Sequence, residues 1–432
     1  MKYLSTLCLS ILLFPILHAQ ENLQLLFGDG DFSFEDHFFS SSQLSQSGED
    51  LLFFGYESLG DDNLLVKFTP ELTLLWTKKY SAIRPLSISH HLTKINENAY
   101  LIVNAASEHI VLYEIDGEGN IIWQKWYDNA AFFQYLNIAA TTWFNDHLYI
   151  LGKSTIGNSG PEGPLFLQKY TRGGDLVWSK HLLLRLPNVD PDAEILPILN
   201  RASNQLLPYG DNELCISSSI LIENSISNPF LIRVDTAGQV LHANAFDHPS
   251  FEVGHVSSIM DNDDLLFTGS GNEDAFLMRT NQEGEFQWAY TYGTEATDGF
   301  SDIEVYENQL IGVGYSSYYP STNINSFTTV IYRFSSNGDF LSADNIPNTS
   351  SPSSSTFIQF QDQYYIASKL EHDDFRSGIN LTKVNPNGIY ACEDSNPLPI
   401  EQSPVNNIIN YEIDVIVEED FDYFLDTSNF TL

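Results

Sequence analysis

Leu277-Met278-Arg279-Thr280-Asn281-Gln282-Glu283-Gly284-Glu285-Phe286-Gln287-Trp288 is the stretch whose reading decides the fold. An apolar run ends in a basic residue, a short polar turn closes on Gly, an apolar residue follows two places on and a Trp four places on. The same order recurs from Leu65-Val66-Lys67 to Trp76, from Leu167-Gln168-Lys169 through Gly174 to Trp178, and from Ile331-Tyr332-Arg333 to Gly338. Weaker copies centre on Gly119, Gly238 and Gly388. With Leu72 holding the glycine's place in the first copy, successive landmarks lie 47, 55, 64, 46, 54 and 50 residues apart. Recurrence at roughly 40 to 60 residues, with several short strands in each unit, is the sequence signature of propeller blades.

Working outward from each landmark, an apolar strand rich in small residues stands upstream: Leu51 to Tyr56, Tyr100 to Asn104, Leu148 to Gly152, Leu214 to Ile220, Leu265 to Gly269, Leu310 to Gly314 and Tyr364 to Ala367. A polar turn such as Asn145-Asp146 or Glu307-Asn308 precedes each one. Asn and Asp suit tight hairpins because they tolerate left-handed backbone and bond their own main chain. A further strand precedes each turn, so every unit reads as four strands, A to D. The expectation is an all-β, seven-bladed β-propeller of four-stranded blades over residues 20–395. The last repeat breaks down after Cys392, while Asn22 to Gly28 resembles an outer strand without a blade. The N-terminal strand is therefore expected to complete blade seven and protect its edge.

At these residues the chain resembles the secreted bacterial β-propeller repeat proteins, whose blades read as apolar strand, Lys, turn, Gly, then Trp. The resemblance spans about residues 22 to 395 and implies an exported protein, of the kind often carrying a C-terminal sorting domain for type IX secretion. Here residues 396–432 read as an acidic tail or the start of a truncated module. They hold Pro397, Pro399, Pro404 and a strand-like acidic segment, Ile408 to Phe424, without a complete sorting domain.

Residues 1–19 read as a signal peptide: Lys2, an apolar run from Tyr3 to Leu17, and a small residue, Ala19, at the cleavage point. No other segment is long enough to span a membrane. Lys and Arg number 19 against 57 Asp and Glu, a net charge of −38, which disfavours nucleic acid and anionic membrane surfaces as partners. A hydrophobic content of 43% argues for a packed protein. Cys215 and Cys392 fall in blades four and seven, which are not neighbours, so both read as buried small side chains. The chain reads as a secreted or cell-surface monomer.

The repeated basic residue, five before the turn glycine, is Lys67, Lys169, Arg233, Arg279, Arg333 or Lys383, with Glu114 the exception. Strand parity sets it across the hairpin from the Trp position, occupied by Trp76, Trp123, Trp178 and Trp288. A residue type repeated in every blade reads as packing between blades, not as a ligand site. No nucleophile elbow is present, and Gly152-Lys153-Ser154-Thr155 lacks the first glycine of a phosphate loop. His90 and His91 point to opposite strand faces. Asp116-Gly117-Glu118-Gly119-Asn120 resembles a calcium loop only at its start and reads as a turn. No cofactor is expected, although a divalent cation is compatible with the acidic loops.

Individuality lies in the connections B to C and D to A, which share one propeller face. The largest is Leu182 to Asn200, with Asp190, Asp192 and Glu194; another, Ser316 to Ser326, holds Tyr318 and Tyr319. Loops on a rigid scaffold are where binding residues concentrate. These five are the candidate ligand residues, for a protein or glycan. The function read from the sequence is a non-enzymatic binding or scaffold module. The rival is a polysaccharide hydrolase or lyase using carboxylates at the channel mouth, with Asp36, His37, His90, His255 and Asp302 as candidates and Trp143 near the channel.

Overall fold

The computed structural model describes residues 24–27, 39–384 and 398–419, less 58–61, 82–86, 107–108, 129–134, 156–161, 186–195, 199–204, 223–225, 248–252, 263, 272, 318–327, 347–355, 372–376 and 407. The segment read as a signal peptide, Asp36, His37, Cys392 and all five candidate ligand residues lie outside them. Every regular element among the described residues is a strand. No helix there is long and apolar enough to cross a membrane.

The protein is an all-β, seven-bladed β-propeller. Its blades comprise strands Phe39–Ser47 to Leu74–Ser81, Ser87–Asn96 to Ile121–Asp128, Tyr135–Phe144 to Leu176–Arg185, Leu196–Ile198 to Val240–Asp247, Val253–Asp261 to Phe286–Gly293, Asp298–Tyr306 to Phe340–Ile346, and Thr356–Phe360 to Ser377–Val384. The seventh is completed by Gln24–Phe27, which pairs antiparallel with Ser377–Val384 in the register Gln24 to Thr382 and Phe27 to Ile379. Strand A of blade 4 comes in two pieces, Leu196–Ile198 and Leu206–Tyr209, both paired with Glu213–Ile222. Strand D of blade 3 runs to Arg185 and this strand A starts at Leu196, so the connection expected over Leu182 to Asn200 includes strand residues at both ends.

Alternation explains why the B strands are apolar throughout. In blade 1, Leu51 and Phe53 pack with Phe360, Tyr365 and Leu381 of blade 7, whereas Leu52 and Phe54 pack with Tyr100, Ile102 and Tyr113 of blade 2. A strand with both faces covered needs apolar residues of both parities. The buried side chains form seven clusters, one at each seam between blades. Trp143, partly buried, packs against the cluster between blades 2 and 3.

The turns obey the chemistry read from the sequence. Gly119, Gly174, Gly238, Gly284 and Gly338 have φ between +72° and +81°, each just before the irregularity in its C to D pairing. This is a type I turn closed by a left-handed glycine bulge. The residue three before the glycine holds the turn together. Asp116 Oδ1 accepts the Glu118 and Asn120 amides at 3.0 and 2.7 Å, and Ser335 Oγ those of Asn337 and Asp339 at 3.2 and 3.1 Å. With Asp116 Oδ2 taken by Asn120 Nδ2 at 2.9 Å, both carboxylate oxygens serve the turn.

Residues beyond 395 add to the propeller. Glu401–Pro404 pairs with strand D of blade 5, Ile409–Glu412 with that of blade 4, and Asp414–Glu419 with that of blade 3. The tail thus runs around the outer rim as a fifth strand on three blades in turn. Leu398 and Ile413 are buried in the seams it crosses, with Val415 and Val417 packed beside Ile413. Gln402 donates from Nε2 to the Gly338 carbonyl at 3.2 Å and accepts the Phe340 amide at 3.1 Å, tying the blade 5 edge to the turn of blade 6.

Candidate functional site

Three regions of a propeller can carry function: the seams, the channel and the loop face. At the seams the repeated basic residues have a common task. Cα register sets Lys67 opposite Trp76, Lys169 opposite Trp178, Arg279 opposite Trp288 and Glu114 opposite Trp123. Four of the six bases reach forward to a carbonyl in the C to D turn of the next blade: Lys67 to Gly117 at 3.2 Å, Lys169 to Thr236 at 3.2 Å, Arg233 to Gln282 at 2.8 Å and Arg279 to Ser336 at 2.8 Å. Lys67 lies 3.4 Å from Asp50, Arg233 2.6 Å from Glu213, Arg279 2.7 and 3.0 Å from Asp264 and Asp261, and Arg333 is paired with Asp344. Lys169 and Lys383 lie over the rings of Tyr149 and Tyr365. These are structural contacts spread around the ring.

The exception follows the same geometry with charges exchanged. Glu114 occupies the basic position of blade 2, and the next turn supplies Arg172 where other turns offer only a carbonyl. Arg172 Nη2 and Nε meet Glu114 Oε1 at 2.6 and 3.1 Å, and Trp123 Nε1 donates to Glu114 Oε2 at 2.6 Å. Sequence reading registered Glu114 as a missing base and overlooked Arg172. The compensating charge lies 58 residues on, and only the seam geometry links the two.

The Trp position works on the same joint. A Cβ on Gly174, Gly238 or Gly338 would lie 2.8 to 3.0 Å from Trp123, Trp178 or Trp288 of the preceding blade, and one on Gly119 would lie 3.0 Å from Trp76. At the closing seam Leu72 stands for the glycine with φ +59° and is buried among Phe360, Tyr365 and Leu381.

Of the channel candidates, His90 is buried with Nδ1 3.0 Å from Asn104 Oδ1, and His91 Nε2 is 3.0 Å from the Ile138 carbonyl of blade 3. Asp302 is buried, and its Oδ2 accepts the Phe357 amide of blade 7 at 3.3 Å. His255 is placed on strand A of blade 5. Two residues along the strand from Asp302 stands Glu304, which sequence reading passed over. It keeps partial exposure, but burial, and then the charge of Asp302, push its pKa up to about 8. The folded value lies above the ordinary 4.5, so the folded form holds a proton that the unfolded form releases across that range. Its contribution to stability is therefore greatest below the ordinary value and declines as pH rises towards 8, by at most about 1.4 kcal/mol per pH unit and less where solvent screens the group. Glu304→Gln is expected to remove that slope: urea midpoints measured at successive pH values should converge with wild type in acid and exceed it above pH 8.

On the loop face, the connection from blade 5 to blade 6 can be followed throughout. Asp298, fully buried, accepts the amide and hydroxyl of Thr294, both at 2.7 Å, and donates its own amide to the Glu273 carbonyl at 2.6 Å. Thr297 donates to Ser317 Oγ at 3.0 Å, and Ser317 to the Thr297 carbonyl at 2.9 Å. These bonds join a B to C turn, a D to A connection and the next B to C turn, so both kinds of connection emerge together. Burial, with the charges of Asp298 and Glu273 behind it, raises the Asp274 pKa; burial raises that of Asp298 against its hydrogen bonds. Among the described residues no group of three or more His, Cys, Asp or Glu could hold a metal ion. Cys215 is buried, and burial pushes its thiol pKa up.

No protein-family model matches the chain, and no curated protein matches it in sequence. Solved structures resembling it include the Dos1 propeller, 12% identical over 80% of this chain and 77% of that one, with a TM-score of 0.48. The WD40 domain of Toxoplasma gondii coronin is 9% identical over 88% and 89%, with a TM-score of 0.49. The polysaccharide lyase Uly1 is 9% identical over 83% and 91%, with a TM-score of 0.45. Likeness at this level says nothing of activity.

Proposed function

We propose that the chain is an exported binding or scaffold module at the cell surface or outside the cell, engaging a protein or glycan through the face where the B to C and D to A connections emerge. The observations that support this reading are the consumption of repeated charged side chains by the seams and the joining of a D to A connection to two B to C turns around Asp298. A rigid scaffold with variable loops keeps the conformational cost of binding low. Residues 186–195 and 318–327, with their three carboxylates and two tyrosines, suit a hydroxyl-rich glycan or a divalent cation. Removing residues 188–194 is expected to abolish such binding in a glycan and metal screen while leaving the melting transition within about 2 °C of wild type. Undiminished binding by that variant would move the site elsewhere.

A second reading, a polysaccharide hydrolase or lyase, has one observation in its favour. Glu304, with its raised pKa beside Asp302, has the character of an acid and base pair. Turnover on any polysaccharide that is lost in Glu304→Gln would make that reading the better one.

A further inference from the structure

The rim strands that the tail adds all begin at one position of strand D, two residues after the Trp position. Cα register sets Lys180 of blade 3 opposite Glu419, Asn244 of blade 4 opposite Glu412, and Tyr290 of blade 5 opposite Pro404. An unpaired outer strand presents a row of main-chain donors and acceptors, and here an acidic, aliphatic segment covers it. In blades 1 and 2 the sheet ends at strand D among the described residues. The anchoring position there is Lys78 or Lys125, whose ammonium groups reach Asn120 Oδ1 at 2.6 Å and Asp175 Oδ1 at 2.5 Å in the turn of the next blade. The stems of these two and of Lys180 lie against the turn glycine of the next blade, with Cδ 3.0, 3.0 and 2.7 Å from a Cβ built on Gly119, Gly174 and Gly238. In blade 6 the same position is Asp344, of the opposite charge.

We propose that the outer edges of blades 1 and 2 dock an extended acidic, aliphatic-rich segment of a partner protein as an added antiparallel fifth strand that ends on a carboxylate opposite Lys78 or Lys125. The surface continues the arc the tail already covers on blades 5, 4 and 3, and it is separate from the loop face. Main-chain pairing supplies the affinity, and the lysine selects an acidic strand over a neutral one. Exposed Leu75 and Ile122, at 47% and 55%, lie on the same two outer strands, three residues before the lysines.

The test is titration of the full chain with a fluorescent peptide of the sequence of residues 409–419, beside the same peptide with Glu412, Glu418 and Glu419 replaced by glutamine and Asp414 by asparagine. The acidic peptide should bind at least about tenfold more tightly than the neutral one, and the difference should shrink in high salt. Lys78→Met with Lys125→Met, which keeps the stems on the turns, should bring the acidic peptide down to the neutral level without lowering the melting temperature by more than a few degrees. Unchanged binding in that variant would place the peptide on blades 3 to 5 by exchange with the tail and overturn the proposal. Equal affinity for the two peptides, or no binding, would overturn it as well. Binding that appears only after residues 420–432 are removed would assign the edge to this chain's own end instead of a partner.

Discussion

Replacing Glu114 by Lys is expected to cost about 3 kcal/mol, and replacing Arg172 by Gly in the same chain to restore most of it. Glu114 is 4% exposed and has two partners, the Arg172 guanidinium and the Trp123 indole N–H. A lysine in its place sets a second cation against Arg172 and strips the indole of its acceptor, and leaving a buried donor without a partner is itself worth about 1–3 kcal/mol. The double change recreates the joint between blades 1 and 2, where Lys67 meets the carbonyl of Gly117. What stays lost is the indole bond, about 1 kcal/mol. Urea midpoints of wild type, the two single variants and the double variant form a cycle whose coupling should exceed about 1.5 kcal/mol. A double variant no more stable than Glu114→Lys would mean that the two residues do not form one joint.

Gly338→Ala is expected to destabilise by about 3 kcal/mol and Gly48→Ala by about 1 kcal/mol, although both glycines are left-handed, with φ +81° and +62°. A Cβ on Gly48 meets nothing within 4 Å, so only backbone strain is added there; a Cβ on Gly338 would lie 2.8 Å from two atoms of the Trp288 ring. The ring must tilt, and it packs against the cluster between blades 5 and 6 that also holds Tyr292, Phe334 and Leu398. Thermal unfolding of the two variants side by side separates strain from overpacking, and Trp fluorescence should shift in Gly338→Ala alone. Equal losses in both would mean that the Trp position does not seat on the turn.

The parts of this molecule legible in its sequence are those that repetition enforces. Turns that need a left-handed residue and a side chain to bond the turn amides, with a base five places earlier in all repeats but the one holding Glu114, leave a pattern visible without any relative for comparison. The missing outer strand after Cys392 likewise pointed to the N-terminal strand. Arg172 was not legible, because in four other seams its position faces the neighbour as a bare carbonyl and so carries no side-chain signature. The attachment of residues 401–419 was hidden for a related reason: adding a strand uses main-chain groups, which any sequence possesses, and only the alternation of Ile413, Val415 and Val417 hinted at a buried face. Glu304 escaped notice because one glutamate among many acidic residues is marked out only by its surroundings. In the candidate loops the sequence could show composition and length alone, since nothing repeats there.

Seams that hold and a loop face that binds can be separated by one paired measurement. A glycan or cation found in the screen is titrated against the chain lacking residues 188–194 and against Glu114→Lys, with the fraction folded determined in each sample. The loop variant is expected to stay folded and lose binding, whereas the seam variant should unfold at lower urea and keep its affinity per folded molecule. Loss of affinity in the folded seam variant, with binding intact in the loop variant, would contradict that division.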